Sequence, residues 1–432
     1  MAPYIIHNMI PSIAERAVSV SKPREVWLIT VAHGVNEFYS VALPPILPLL
    51  VNDFGISYVK AGALLTVFFA TYSLLQLPAG VLADRIGQRW ILAAGMVVLA
   101  AGMLVAAGAQ DYWGLVLAEI LAGIGGSTYH PSGMSLISDL ETGDTEGKAM
   151  GIHGFGGVVG TALAPALIGG LAAIFGWRLA LTVSAAVGVA YALVFLALFR
   201  DTDRTGGVSG LKTNGRGQSD GGVDASGGRT KAGKETGSRW SNHVALASVP
   251  LERWVAVVFL ANLAIATEIG AVRSFVTSYL VTHAGTTAAV ANGIFFVMLV
   301  GAGVSSLGAG SLADTVDRRM LGFATMAVST VALGASALIP PVPLVLGVWF
   351  FFLGVVIWAA LPALNAITSQ YSEREFSGSL FGVMLTAGSL GGAASPLLFG
   401  VAAERFGMGA AFPMVSGVSA IGAVAFLALR RT

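Results

Sequence analysis

Apolar residues run along this chain in stretches of about twenty, broken by short polar loops. The stretches fall near 25–50, 60–82, 89–109, 112–138, 149–173, 177–199, 252–282, 288–312, 320–339, 343–368, 378–402 and 409–429. At ~1.5 Å of rise per residue, each helix of this length crosses a ~30 Å hydrocarbon layer with some tilt. The pattern predicts an all-α membrane protein with twelve transmembrane helices. One interruption is different in kind. Residues 200–250 are rich in Gly, Ser, Thr and charge and nearly devoid of apolar side chains. They cannot bury a core and are predicted to form a flexible linker. The chain is thereby divided into a tail at 1–24, a six-helix bundle at 25–199, the linker at 200–250 and a second six-helix bundle at 251–432.

Composition sharpens this picture. The 432 residues are 55% hydrophobic and 11% charged, where a soluble domain is nearer a quarter charged. Residues 200–253 hold 15 of the 47 charged side chains, so the rest of the chain is poorer still. A soluble enzyme is excluded. A net charge of +1 and the lack of a basic stripe argue against a nucleic-acid partner. The absence of cysteine excludes disulfides, thiolate zinc sites and iron–sulfur ligation. The first apolar run is too long and too polar inside for the core of a cleavable signal peptide.

Lys and Arg set the orientation. With both termini in the cytoplasm, and the central segment left out, the cytoplasmic side receives eleven basic residues and the outside only Lys60, Arg178 and Arg405. The halves are also similar to each other. With an offset of 231, Glu37 meets Glu268, Pro131 meets Pro362 and Pro165 meets Pro396. With an offset of 230, the run Gly80–Asp84 meets Gly310–Asp314 and Arg89 meets Arg319. Two equivalent bundles about a midplane site are the usual build of a secondary transporter.

The loop between the second and third spans carries Gly80, Asp84, Arg85, Gly87, Gln88 and Arg89. It resembles the signature loop of the major facilitator superfamily, Gly-x-x-x-Asp-Arg-x-Gly-Arg-Arg, with Gln88 in a basic position. The second copy keeps Asp314, Arg318 and Arg319 but has Thr315 and Asp317 where the family has Arg and Gly. His33, Asn36 and Glu37 in the first span resemble the His-x-x-Asn-Asp pattern of the fosmidomycin-resistance-like branch, with Glu for Asp. The segment from Gly123 to Tyr129, His130 and Pro131 resembles that branch's Gly-x-Gly-x-x-x-Phe-His-Pro, with Tyr for Phe. The resemblance implies a twelve-helix transporter, and within that branch a proton-driven exporter of toxic compounds.

The loop chemistry has a physical reading. A carboxylate at Asp84 is favoured beside the N-terminus of another helix. The partner the resemblance implies is the eleventh span, beginning near Ser377. Arg85 and Arg89, with Asp314, Arg318 and Arg319 in the second half, would complete a gate that forms when the cytoplasmic side closes.

Ionisable groups inside a span are functional candidates by default. Glu37 lies near the midplane, and His33 precedes it by four residues, on the same helical face. With Glu268, its counterpart in the seventh span, they are the candidates for proton coupling. Asn36, Arg273, Glu119 and Tyr129 are candidates for the substrate cavity. Arg273 suits an anionic substrate or a structural ion pair. Glu119 suits an outer relay or a contact at the interface. His130, Pro131 and His153 are expected near the cytoplasmic ends of their helices, as an inner-gate site or as a water-capped kink, because Pro131 frees the carbonyl of Ser127. No His and carboxylate set has metal-ligand spacing, so neither a metal nor a cofactor is expected. Of the aromatic residues Phe68, Phe69, Tyr72, Phe295, Phe296, Trp349 to Phe352 and Trp358, some are expected to line an apolar cavity and more to contact lipid or the core.

The function expected is proton-coupled export of small organic or toxic compounds by alternating access, from a monomer in the cell membrane. Uptake of a small anion or metabolite with protons is the alternative. An enzyme is not expected: the Ser-x-x-Lys matches at Ser57–Lys60 and Ser209–Lys212 lie in loops, and no nucleophile elbow, zincin helix or phosphate loop is present.

Overall fold

A computed structural model describes residues 20–141, 145–200, 253–313, 315–371 and 377–429. The tail before residue 20, most of the central 200–250 segment and Asp314 lie outside the described residues. The N-terminal half contains α1 (Pro23–Ser40), α2 (Leu47–Phe54), α3 (Tyr58–Ile86), α4 (Gln88–Gly108), α5 (Tyr112–Ser127), α6 (Tyr129–Leu140), α7 (Glu146–Ala164), α8 (Gly170–Phe175) and α9 (Trp177–Leu198). The C-terminal half contains α10 (Arg253–Thr282), α11 (Ala288–Ala313), α12 (Arg318–Ala335), α13 (Pro343–Tyr371), α14 (Ser377–Phe406) and α15 (Met408–Ala428). Every described element is helical. Among the described residues, eleven stretches are long and apolar enough to cross a membrane, with α1 continuing into α2 and α7 into α8.

The twelfth span, expected at 112–138, is present in two pieces. Pro131 has no N–H to return to the Ser127 carbonyl, and the helix breaks at Thr128 into α5 and α6. Pro165 acts more gently: the chain passes through a π-helical turn at Pro165–Gly169. Polar side chains start several helices. Ser57 accepts from the Lys60 N–H, Asp111 from Gly114 and Asp317 from Met320.

The halves are built alike. In the first, α1 packs on α7, α4 on α9 and α3 on α5; in the second, α10 packs on α14, α12 on α15 and α11 on α13. The last turn of each half matches in detail. Gly176 and Gly407, 231 positions apart, have φ of 85° and 84° with ψ of 155° at both. These are left-handed conformations that favour glycine.

The halves meet along α3 with α14 and α7 with α11. Their bonds concentrate on the far face, opposite the linker side at which α9 ends and α10 begins. The Tyr58 N–H at the start of α3 donates to Glu404 Oε2 at 2.9 Å, and the Leu397 N–H donates to Thr66 Oγ1 at 3.2 Å. Asn292 Nδ2 donates to the Pro45 carbonyl at 3.0 Å. Gly62 makes this closeness possible, because a Cβ there would lie 2.8 Å from the Pro396 carbonyl carbon and 3.0 Å from Leu397 Cα. The far face is therefore sealed by backbone-to-backbone packing.

Candidate functional site

On the linker side of that seam lies a cavity of about 280 Å³ whose walls come from both halves. The N-terminal half contributes His33 and Glu37 from α1, His130 from α6 and Thr161 from α7. The C-terminal half contributes Arg273 from α10, Ser306 from α11 and Trp358 from α13.

Glu37 is the hub. One turn of α1 brings His33 Nε2 to 3.9 Å from Glu37 Oε1, and the break before α6 brings His130 Nε2 to 3.5 Å from the same oxygen. Asn36 Nδ2 reaches Glu37 Oε1 at 3.4 Å and Tyr72 Oη at 3.3 Å. The Ser40 hydroxyl donates to Glu37 Oε2 at 3.3 Å.

Behind the hub is a stack of rings. His33 lies parallel to His153 at 4.2 Å and to Tyr129 at 5.1 Å. His33 Nδ1 is 2.8 Å from the His153 carbonyl, which accepts and cannot donate, so Nδ1 carries the proton. Nε2 is then the ring position free to take up or give a proton toward Glu37. The Tyr129 hydroxyl donates to the Ile29 carbonyl at 2.8 Å and sits 3.4 Å from His153 Nδ1. Glu37, His33 and His130 thus form one cluster that faces the cavity.

Several residues lie elsewhere than the sequence suggested. Tyr129 is buried in the stack and does not line the cavity. The proposed inner-gate set of Tyr129, His130 and His153 is not separate from Glu37 but part of its surroundings. Asn36 supports Glu37 from behind. Glu119 is 3% exposed on α5, with no hydrogen bond among the described residues, and does not reach the cavity. Glu268, the counterpart of Glu37 on α10, does not line the cavity. It is fully buried within the C-terminal half and accepts a hydrogen bond from Ser329.

The residues of the expected gate are engaged within their own halves. Asp84 accepts from Gln88 Nε2 at 2.9 Å within its own loop. Among the described residues, neither Asp84 nor Arg85 bonds to the C-terminal half. Arg89 donates to the Leu196 carbonyl at the end of α9, and Arg319 donates to the Leu427 carbonyl at the end of α15. Each is a cation at a helix C-terminus, where the dipole favours it. Arg318 likewise donates within its half, to Ala313 at 3.0 Å. Gly80 packs against Pro131, joining the signature loop to the helix break.

The fold also gathers a set that spacing argued against. His33, Glu37 and His130 offer ligand atoms within 4.8 Å of one another, a geometry able to hold a metal ion. Arg273 lines the same cavity, and its positive charge opposes a second cation there.

Residues that the sequence did not single out include Glu404, Asn292 and Thr66 at the seam and Thr161 and Ser306 in the cavity. Their signal was weak, because single polar residues in apolar helices declare neither face nor partner.

Comparison with known proteins bears on the class. The family model described as Major Facilitator Superfamily matches residues 26–298 and 258–432. The D-galactonate transporter of Escherichia coli O6:H1 is 24% identical over 393 residues, covering 88% of this chain and 88% of that protein. The fosmidomycin resistance protein of Escherichia coli K12 is 29% identical over 168 residues, 38% of this chain and 41% of that protein. Among solved structures, a bacterial homologue of the human lysosomal transporter Spinster, in an inward-facing and unoccupied conformation, superposes with a TM-score of 0.73. It is 18% identical and covers 94% of both chains.

Proposed function

Because this chain belongs to the Major Facilitator Superfamily, and is a membrane transporter of small molecules rather than an enzyme, we propose that it is a proton-coupled secondary transporter of small organic compounds working by alternating access. The observation that carries this reading is the position of Glu37. It stands in the wall of a cavity between two halves that are sealed on one face only, and histidines from two different helices contact it.

A carboxylate and an imidazolium that attract each other hold α1 and α6 together; adding a proton to the carboxylate ends the attraction. Glu37 also shares the cavity with Arg273 of the other half, so its charge acts across the interface that must open and close. Such a group biases a two-state packing by as much as its interactions differ between the states. With the linker face assigned to the cytoplasm from the basic-residue count, the structure is an inward-open state. The plasma membrane, with both termini inside, is the location that fits.

Two directions share this machinery. Export in exchange for protons is supported by the likeness to the fosmidomycin resistance protein. Uptake with protons is supported by Arg273, a cation suited to a metabolite anion, and by the near full-length likeness to a D-galactonate transporter. Everted vesicles carrying an imposed pH gradient test both. With an acidic lumen, an exported compound added outside should dissipate the gradient and a symported one should deepen it, and Glu37→Gln should do neither. Full coupling by Glu37→Gln would remove Glu37 from the mechanism.

A further inference from the structure

Arg273 brings a guanidinium into the cavity wall. It is half-buried in α10, and among the described residues it forms no hydrogen bond or ion pair. Its described contact is a face-on one: the guanidinium lies 5.1 Å from the ring of Phe69, on α3 of the other half. The ring holds the guanidinium on one side, and the side chain lines the cavity. Five donors in a rigid fork, partly withdrawn from water, are costly to leave unpaired. Glu37 does not take them up, since its oxygens are engaged by His130, Asn36 and Ser40.

We propose that Arg273 is an anion-binding subsite and that the compound bound in this cavity is a small hydroxylated carboxylate, its carboxylate on the guanidinium and its hydroxyls on the remaining polar wall. A planar fork matches a carboxylate with two parallel hydrogen bonds, which a point charge does not. Thr161 and Ser306 supply hydroxyls from opposite halves, His130 adds a ring nitrogen, and Trp358 offers an apolar surface for carbon. The cavity, about 280 Å³, admits an acid of this size. A ligand that bridges Arg273 and Thr161 touches both halves, so its binding acts on the interface that moves.

The inference rests on the reading of this cavity as the transport site but not on proton coupling, and an equilibrium binding experiment separates the two. The purified full-length chain in detergent would be titrated with lactate, glycerate and gluconate, and with sorbitol as the uncharged partner of gluconate, by calorimetry. Binding of at least one acid is expected, with sorbitol at least about tenfold weaker, as loss of a charge-assisted pair implies. Arg273→Lys should weaken the acid about tenfold and Arg273→Gln should abolish its binding. Thermal unfolding of both variants without ligand should match the wild type, so that the loss is one of binding and not of folding. The proposal is overturned if no acid of the set binds, if sorbitol binds as tightly, or if Arg273→Gln retains wild-type affinity. Should coupling through Glu37 fail in vesicles while acid binding persists, the subsite stands and the coupling assignment falls.

Discussion

Adding one methyl group at Gly62 should move the protein from one conformational state to the other. A Cβ at this position would stand 2.8 Å from the Pro396 carbonyl carbon, with the carbonyl oxygen nearer still, and 3.0 Å from Leu397 Cα. Ordinary contact begins at 3.4 Å, so α3 and α14 must separate by at least about 0.6 Å. The obstacles are backbone atoms, which cannot rotate out of the way. Overpacking of this kind costs roughly 1–3 kcal/mol. The clash exists only while the far face is sealed, so the cost falls on that state alone. The ratio of linker-side-open to far-side-open molecules should fall about 5- to 150-fold. The chain has no cysteine, which makes the assay direct. A single Thr161→Cys in the cavity wall would be labelled with a membrane-impermeant maleimide from either side of sealed vesicles. Gly62→Ala should slow labelling from the linker side and speed it from the far side. Gly293→Ala, where an added Cβ meets nothing within 4 Å, is the control and should change neither. Unchanged labelling in Gly62→Ala would refute the claim that this contact belongs to one state.

Other consequences are testable in the same preparation. Glu404→Ala removes the carboxylate that receives the Tyr58 N–H and lies at the positive end of α3; it should shift the labelling ratio in the same direction as Gly62→Ala, by about 0.3–1 kcal/mol, with Glu404→Gln intermediate. Glu268→Gln should leave proton-coupled transport intact, because that side chain is turned into the C-terminal half; loss of coupling there would return it to the mechanism. Glu141, just past the end of α6, predicts a pH effect. Burial pushes its carboxyl up, but hydrogen bonds from the backbone N–H groups of Lys22 and Ser21 and from the Thr145 side chain hold it down to about 2. A lowered folded-state value means stability that is present above the ordinary value of 4.5 and is lost as pH falls toward about 2. Thermal unfolding followed across that window should show the loss in the wild type, and Glu141→Gln should lack that component.

Much of the fold could be read from apolar run length alone, because a helix is the way a single segment satisfies its own backbone in hydrocarbon. Proline was legible where it acts locally: Pro131 predicted the break that the structure places at Thr128. The face of a helix was not. Glu37 and Glu268 align in the sequence repeat, yet each residue turns a helix by about 100°, so a small offset in the packing of α1 and α10 separates a cavity wall from a buried core. Spacing brought His33 to Glu37 but had nothing to say about His130 or His153, whose helices arrive from elsewhere. Arg89 and Arg319 were legible as a repeated pair. Their partners are backbone carbonyls, which carry no signature in sequence.

Sealing on one face and opening on the other are a single motion in this account, and paired distance measurements address that most directly. In the cysteine-free chain, one pair of spin labels at Ile86 and Val316 would span the linker-face mouth, and another at Gln110 and Leu338 would span the far face; all four side chains are exposed. On acidification and on addition of a bound acid, the two distances should change in opposite senses, one shortening as the other lengthens. Distances that stay fixed, or that lengthen and shorten together, would contradict the account.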